Sequence, residues 1–297
     1  MTTEDILAIK PKILSEDQRS SYFEKGYLLV ESVVSKDWIE RLLEVTDQMV
    51  DRSRSLTESD AIFDLEPNHS ADKPRLRRLS SPVDQHPLYW EFASESVIPG
   101  IVADLVGPSV KFHHSKLNFK WALGGEEVKW HQDITFWPHT NYSPLTVGLY
   151  LHDVEDDQGP LGVLPGSHGG DLFNQYNEQN QWVGCLSDTD VGELDLDRVE
   201  YLTGPAGSIT IHNCRAIHGS GVNRSTIGRP LLLNAYSSAD AFPYTHDPLM
   251  SSHHGDIVRG ERAQWAHHDP RPCLIPPDWS GGYTSIYALQ QEESRDE

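Results

Sequence analysis

Apolar positions recur at helical spacing early in the chain and at strand spacing later. Residues 15–52 predict two helices around a short extended piece. Ser15 followed by Gln18 is a capping-box signature, and Gly26 supplies a helix stop. Tyr27 to Val34, YLLVESVV, is rich in β-branched residues and predicts an extended segment. Ser35 can cap a second helix, whose apolar face is Ile39, Leu42, Leu43, Met49 and Val50. Residues 53–85 are polar and without period, which predicts a long loop. A third helix fits Val97 to Leu105, stopped by Gly107-Pro108.

From Val110 onward short apolar runs alternate with turn signals. Strands are predicted over 110–120, 145–154, 161–164, 207–212 and 230–239, with turns at Asp156 to Pro160 and at Pro165-Gly166. Residues 174–200 are polar and acidic and read as a solvated insertion. Residues 240–283 are rich in Pro, His and Gly with little periodicity, as in a long ordered loop or a lid. The tail, Glu292 to Glu297, is expected to fray. Helices first and strands after predict a mainly β, α+β domain over 1–297: a helical part at about 15–107, a β core at about 110–240 and a loop-rich extension at 241–297.

Charge narrows the function classes. Lys and Arg total 24 against 45 Asp and Glu, a net charge of −21. Nucleic-acid binding draws most of its affinity from cationic contacts to phosphate, and the densest basic group is only Arg75, Arg77 and Arg78. No nucleic-acid partner is expected; a local basic pocket can still take a small anion. No apolar run reaches the length of a membrane span, and Glu4 and Asp5 stand where a signal peptide would be basic, so a cytoplasmic protein is expected. Cys185, Cys214 and Cys273 are isolated from one another and form no C-x-x-C pair. The oligomeric state is left open.

The 15 histidines direct attention to metal binding. In Trp130-His131-Gln132-Asp133, a strand would place His131 and Asp133 on one face, offering an imidazole nitrogen and a carboxylate to one point. His218 is the best third ligand, with His212 and His168 as alternatives. Two histidines and a carboxylate leave open positions on the opposite side, which suits a non-haem Fe(II) that must also bind a co-substrate and O2. Arg229 follows His218 by 11 residues and opens the apolar run Leu231-Leu232-Leu233. A guanidinium there needs a partner, and its planar fork matches the distal carboxylate of a dicarboxylate that chelates iron at its other end.

The sequence resembles the phytanoyl-CoA dioxygenase family of Fe(II)/2-oxoglutarate-dependent oxygenases. The matching segments, in family order, are FEKGYLLVESVV, KWHQDITFWP, GPLGVLPGSHGG and HNCRAIHGSGVNRSTIGRP, spread over most of residues 15–239. The resemblance implies a double-stranded β-helix, a jelly-roll or cupin-like core with flanking N-terminal helices. It implies His131, Asp133 and His218 as the iron triad, Arg229 on the C5 carboxylate of 2-oxoglutarate, and Ser220 as a hydroxyl donor to the same group. Lys116 and Asn118, on one face of a strand, fall where the family places further co-substrate contacts. Leu149 departs from the tryptophan that relatives often carry near the co-substrate. Asp133 argues against a halogenase, which has a small residue there.

The implied reaction is hydroxylation, or another oxidation, of an unactivated C–H bond in a small metabolite or natural-product intermediate, with release of succinate and CO2. Trp137, His139, Tyr142, Tyr150 and Trp182 are candidates to line the substrate pocket, and Arg77 and Arg78 to meet an anionic substrate. Nothing specifies a coenzyme A site. Segments 174–200 and 240–270 are expected to border the active-site mouth. Two other readings compete: a zinc hydrolase using the same triad, which leaves Arg229 and Ser220 without a role, and a catalytically silent jelly-roll binding protein.

Overall fold

The structure, a computed structural model, describes residues 1–279, 283 and 285–293. Among these the chain forms helices α1 (Thr3–Ala8), α2 (Glu16–Lys25), α3 (Lys36–Ser53), α4 (Pro82–Gln85), α5 (Pro87–Glu95), α6 (Ile98–Val106), α7 (Asp188–Glu193) and α8 (Ile286–Glu293). The strands are β1 (Tyr27–Val30), β2 (Phe63–Leu65), β3 (Leu76–Ser80), β4 (Val110–Lys120), β5 (Val128–His131), β6 (Leu145–Tyr150), β7 (Leu161–Val163), β8 (Glu200–Leu202), β9 (Ile209–Asn213), β10 (His218–Ser220), β11 (Arg229–Ser238) and β12 (Ile257–Arg259). No helix among the described residues is long and apolar enough to cross a membrane.

The architecture mixes helices with two antiparallel sheets. The larger sheet runs β1-β9-β6-β11-β4-β3-β2, with β12 also paired to β4; the smaller runs β5-β10-β7-β8. One face of the larger sheet carries Phe112, Leu117, Val147, Leu149, Ile209, Ile211 and Leu232, which pack with Tyr22, Leu42, Met49, Tyr89, Phe92 and Ile101 of the helices into the main core. The opposite face of β4 and β11, with Lys116, Asn118, Arg229 and Leu231, borders a pocket that the smaller sheet closes through Val128, His131 and His218.

The helix caps agree with the sequence. Ser15 and Gln18 form the capping box, and Gly26 ends α2 in the left-handed conformation at φ 83°. Ser35 caps α3. Several expected elements differ. The segment after Gly26 leaves the sheet at Val30, because Ser32 turns to φ 51° and Val34 N–H donates to the Gly207 carbonyl at 3.0 Å. The expected loop 53–85 contains β2, β3 and α4; β3 adds to the edge of β4, with Arg78 opposite Asn118 and Ser80 opposite Lys116. The expected third helix is preceded by α5, which Pro87 opens at its first position. The region 145–154 is strand only to Tyr150. The loop-rich extension carries β12 and α8, an element without a clear apolar period. The expected frayed tail meets the end of α8 at Glu292 and Glu293, and residues 294–297 lie outside the described residues.

A β-bulge in β4 sets which side chains face the pocket. Ala235 pairs with His114 but Tyr236 pairs with Phe112, so His113 is an extra residue. Phe112 and Leu117 consequently point to the helices, while His114, Lys116 and Asn118 turn the other way.

Candidate metal centre

The two histidines come from neighbouring strands. β5 pairs with β10 so that His131 stands directly opposite His218, their ring centroids 4.1 Å apart. Asp133 arrives by a different route from the one strand parity predicts. β5 ends at His131, and Asp133 opens a 3-10 turn, Asp133–Thr135, so the turn aims the carboxylate. Gln132, which has no surface exposed, locks that turn in place. It donates to the carbonyls of Arg215 at 2.9 Å and Asp171 at 3.1 Å and accepts from the Phe173 N–H at 2.9 Å. Nothing in the sequence pattern marks Gln132 for this task.

Asp133 Oδ1 lies 3.6 Å from His131 Nε2 and 3.8 Å from His218 Nε2. Each histidine turns its other nitrogen, Nδ1, to a backbone carbonyl at 2.9 Å: Lys129 for His131, Ala216 for His218. A carbonyl can only accept, so the proton sits on Nδ1 and Nε2 presents a lone pair to the carboxylate. Two lone pairs and a carboxylate oxygen thus converge on one buried point, an arrangement that can hold a metal ion. His212, the alternative ligand, sits behind the carboxylate instead. Its Nε2 is 3.3 Å from Asp133 Oδ2, the oxygen that also accepts from Thr146 Oγ1 at 2.9 Å. His168 lies elsewhere, 3.1 Å from the Phe23 carbonyl.

Burial alone would raise the Asp133 pKa, but the Lys116 ammonium holds the carboxyl well below the usual range. Burial, with the facing rings of His131 and His212, presses the His218 pKa well below its ordinary value and keeps the ring neutral. Both residues are therefore in the ionisation state a metal needs.

Beside the triad is a narrow pocket of about 50 Å³, and Lys116, Asn118, Ser220 and Arg229 all line it, as the sequence reading expects. Arg229 is 3% exposed, and its Nε and Nη1 have no hydrogen-bond partner. Burial pulls its pKa down, so its charge is uncompensated. Lys120 is close by but saturated: its ammonium donates to the carbonyls of Glu126 at 2.8 Å, Ser220 at 3.1 Å and Gly221.

Arg78 also lines this pocket. It donates from Nε to Asn118 Oδ1 at 3.1 Å, sits 5.7 Å from the Tyr287 ring centroid, and leaves Nη1 without a partner. Ile286 and Tyr287 of α8 complete the lining. The run Leu76-Arg77-Arg78-Leu79 has no alternation that could have revealed β3, and α8 carried no signal either.

Other expectations are corrected. Arg77 is tied to Asp64 and Glu126 rather than open to a substrate. None of Trp137, His139, Tyr142, Tyr150 and Trp182 lines the pocket. Tyr150 bonds the Leu202 carbonyl, Tyr142 donates to the Pro272 carbonyl at 3.1 Å, and Trp182 packs on Phe136 and Trp279. Leu149 points into the helix-facing core. Residues 246–252, with Ser80, Trp279 and Tyr283, line a second cavity of about 760 Å³ next to the first; no residue of 174–200 lines either.

The sequence model of the phytanoyl-CoA dioxygenase family matches residues 22–231. A protein of Stutzerimonas stutzeri, named a probable alpha-ketoglutarate-dependent hypophosphite dioxygenase, is 35% identical over 88% of this chain and 91% of its own length. An ectoine dioxygenase of Bordetella bronchiseptica is 26% identical over 76% of each chain. Among solved structures, EctD from S. alaskensis with 2-oxoglutarate and 5-hydroxyectoine has a TM-score of 0.68 at 20% identity, covering 87% of this chain and 92% of that one. The carbocyclase SnoK from nogalamycin biosynthesis has a TM-score of 0.62 at 21% identity, covering 85% and 98%.

Proposed function

Since the chain belongs to the phytanoyl-CoA dioxygenase family, we propose that His131, Asp133 and His218 hold its iron and that Arg229 grips its co-substrate. The protein is a 2-oxoglutarate-dependent oxygenase, an oxidoreductase that uses iron and O2 on a small molecule. Bound iron supplies the oxidative decarboxylation of 2-oxoglutarate to succinate and CO2, coupled to substrate oxidation. The chain's own part is placement. Arg229 and Ser220 receive the distal carboxylate, Lys116 and Asn118 form the adjoining wall, and Thr146 and His212 fix Asp133 so that one oxygen remains for the metal. The sheets close as a double-stranded β-helix, and residues 1–297 act as one domain, a reading supported by Tyr287 of α8 reaching the same pocket. That Cys185, Cys214 and Cys273 form no disulfide suits the cytoplasm.

The observation that carries this reading is the buried, unpartnered fork of Arg229 beside the triad. A zinc hydrolase has no use for it. Anaerobic titration with Fe(II) and then 2-oxoglutarate tests the assignment: wild type should bind both, and His218→Ala should lose iron. Iron affinity unchanged in His218→Ala would sink the triad.

The substrate class follows from charge. Two negative charges of 2-oxoglutarate and one of Asp133 stand against Fe(II), Arg229, Lys116 and Arg78, leaving a surplus of positive charge with Arg78 Nη1 unpaired. A compact anion fits, and hypophosphite, named for the relative at 35% identity, is the first to test. The bond oxidised would then be P–H rather than C–H. Succinate formation that depends on hypophosphite, with phosphite seen by phosphorus NMR, would support this. Turnover with ectoine or proline but not with any small anion would refute the substrate class and leave the oxygenase assignment standing.

A further inference from the structure

A second group of ligand-type side chains lies at the β4 bulge. His113 and His114 come from that bulge, and Asp247 and His254 from the segment that crosses it. Asp247 Oδ1 accepts from the Leu249 N–H at 2.9 Å, within its own turn. Its Oδ2 faces three imidazole Nδ1 atoms: His254 at 3.1 Å, His113 at 3.2 Å and His114 at 3.8 Å. The Nδ1 atoms of His113 and His114 are themselves 2.5 Å apart.

The ligand atoms of His113, Asp247 and His254 all lie within 4.8 Å of one another. Only one proton fits between two Nδ1 atoms 2.5 Å apart, so one of His113 and His114 must turn a bare lone pair toward its neighbour. His254 Nδ1 also lies 3.1 Å from the His113 carbonyl, so without a metal it carries a proton that Asp247 and this carbonyl share, and a bound ion would displace that proton. A cation among the four atoms would take their lone pairs as ligands in place of protons. Four ligands bonded at about 2.1 Å around a tetrahedral ion stand roughly 3.4 Å apart, close to the Asp247 separations, and the ion would part the His113 and His114 nitrogens from their 2.5 Å contact. His113, His114 and Asp247 are buried, whereas the His254 side chain is 31% exposed, which gives an ion a way in from solvent.

We propose that His113, His114, Asp247 and His254 form a second metal site, separate from the iron triad, for a borderline divalent ion of the Zn²⁺ type. Three imidazoles and one carboxylate are the donor set such ions take. The segment is already laid against β4 by backbone bonds, Gly255 N–H to the Phe112 carbonyl at 3.0 Å and Phe112 N–H to the Asp256 carbonyl at 2.9 Å. The ion clamps it there. Because residues 246–252 form a wall of the larger cavity, the clamp braces the approach to the iron pocket.

The test is a Co²⁺ titration of the chelator-stripped full chain, read by bound metal and by the visible bands of four-coordinate cobalt. Wild type should bind two equivalents. His218→Ala should bind one and keep the four-coordinate bands. Asp247→Asn should bind one and lose them, its remaining equivalent reporting an intact fold; His254→Gln, at the exposed edge, serves if Asp247→Asn fails to fold. The double variant His218→Ala/Asp247→Asn should bind none. One equivalent in wild type, abolished by His218→Ala and untouched by Asp247→Asn and His254→Gln, overturns the proposal. Failure of the triad assignment would instead show as His218→Ala retaining both equivalents.

Discussion

Replacing Arg229 is the sharpest perturbation available, because the proposed reading gives the residue one partner, the co-substrate. Its guanidinium is 3% exposed, and Nε and Nη1 bond nothing in the protein. A carboxylate docked there gains a charge-assisted pair in a dry pocket. Truncation leaves that carboxylate unpaired, at about 2–5 kcal/mol. The dissociation constant of 2-oxoglutarate should therefore rise roughly 30-fold to several thousand-fold in Arg229→Met. Lys120 offers no rescue, since its ammonium is committed to three carbonyls. Arg229→Lys should recover part of the loss, keeping the charge without the fork. A second readout has the opposite sign. Without co-substrate the arginine is a buried, uncompensated charge, so Arg229→Met should melt no lower than wild type when 2-oxoglutarate is absent. The assay is calorimetric titration of the Fe(II) protein under argon, with thermal melts in parallel. Arg224, exposed five residues earlier, is the control and should bind normally as Ala. The rival clamp is Arg78. If Arg78→Met weakened 2-oxoglutarate binding to this extent and Arg229→Met did not, the roles of the two arginines would be exchanged.

Four further outcomes are expected. Thr146→Val deletes the bond to Asp133 Oδ2 and should weaken iron binding at the triad roughly 10- to 100-fold, as loss of an outer partner does, while His218→Ala removes binding at that site; iron titrations decide. Leu149→Trp should cost about 1–3 kcal/mol of stability by overpacking the helix-facing core, with 2-oxoglutarate affinity unchanged; a gain in that affinity would place residue 149 in the pocket after all. Burial, only partly offset by Arg75, raises the Glu66 pKa. A raised acid favours the fold while protonated, so its contribution is full below about 4.3 and is lost as pH rises through the folded value; wild type should gain more stability than Glu66→Gln as pH falls from 7 toward 4. Hydrogen exchange in 246–252 should slow when substrate is bound to the iron enzyme, and equal slowing in 174–200, which lines neither cavity, would contradict the placement.

What the sequence disclosed and what it concealed divide along a physical line. Caps are local, so Ser15, Gly26 and Ser35 could be read from a few neighbouring residues. Period-two alternation is local too, and it placed Lys116 and Asn118 on one face of β4. The same rule gave the right company for Asp133 by the wrong means, since the residue lies in a turn braced by Gln132. β3 was hidden because a strand of five residues carrying two arginines does not look apolar; one arginine meets Asp64 and Glu126, the other the pocket. α8 was hidden because what it buries, Ile286 and Tyr287, is too short a pattern to stand out.

The concealed elements are also the ones that distinguish this pocket. On the proposed reading, the triad, Thr146 and Arg229 supply what any reaction of this kind needs: a metal, an oriented carboxylate and a held co-substrate. They come from the strands and the adjoining turn of the two sheets. The surplus cation Arg78 comes from β3, and Tyr287, the ring beneath it, comes from α8. The wall of the neighbouring cavity comes from 246–252. Catalytic class is thus written in short-range motifs. On the proposed reading, substrate choice rests on pairings between residues some 200 positions apart, such as Arg78 with Tyr287. Exchanging β3 and α8 together, rather than any triad residue, is therefore the change that should redirect this enzyme to a different substrate while leaving iron and 2-oxoglutarate binding in place.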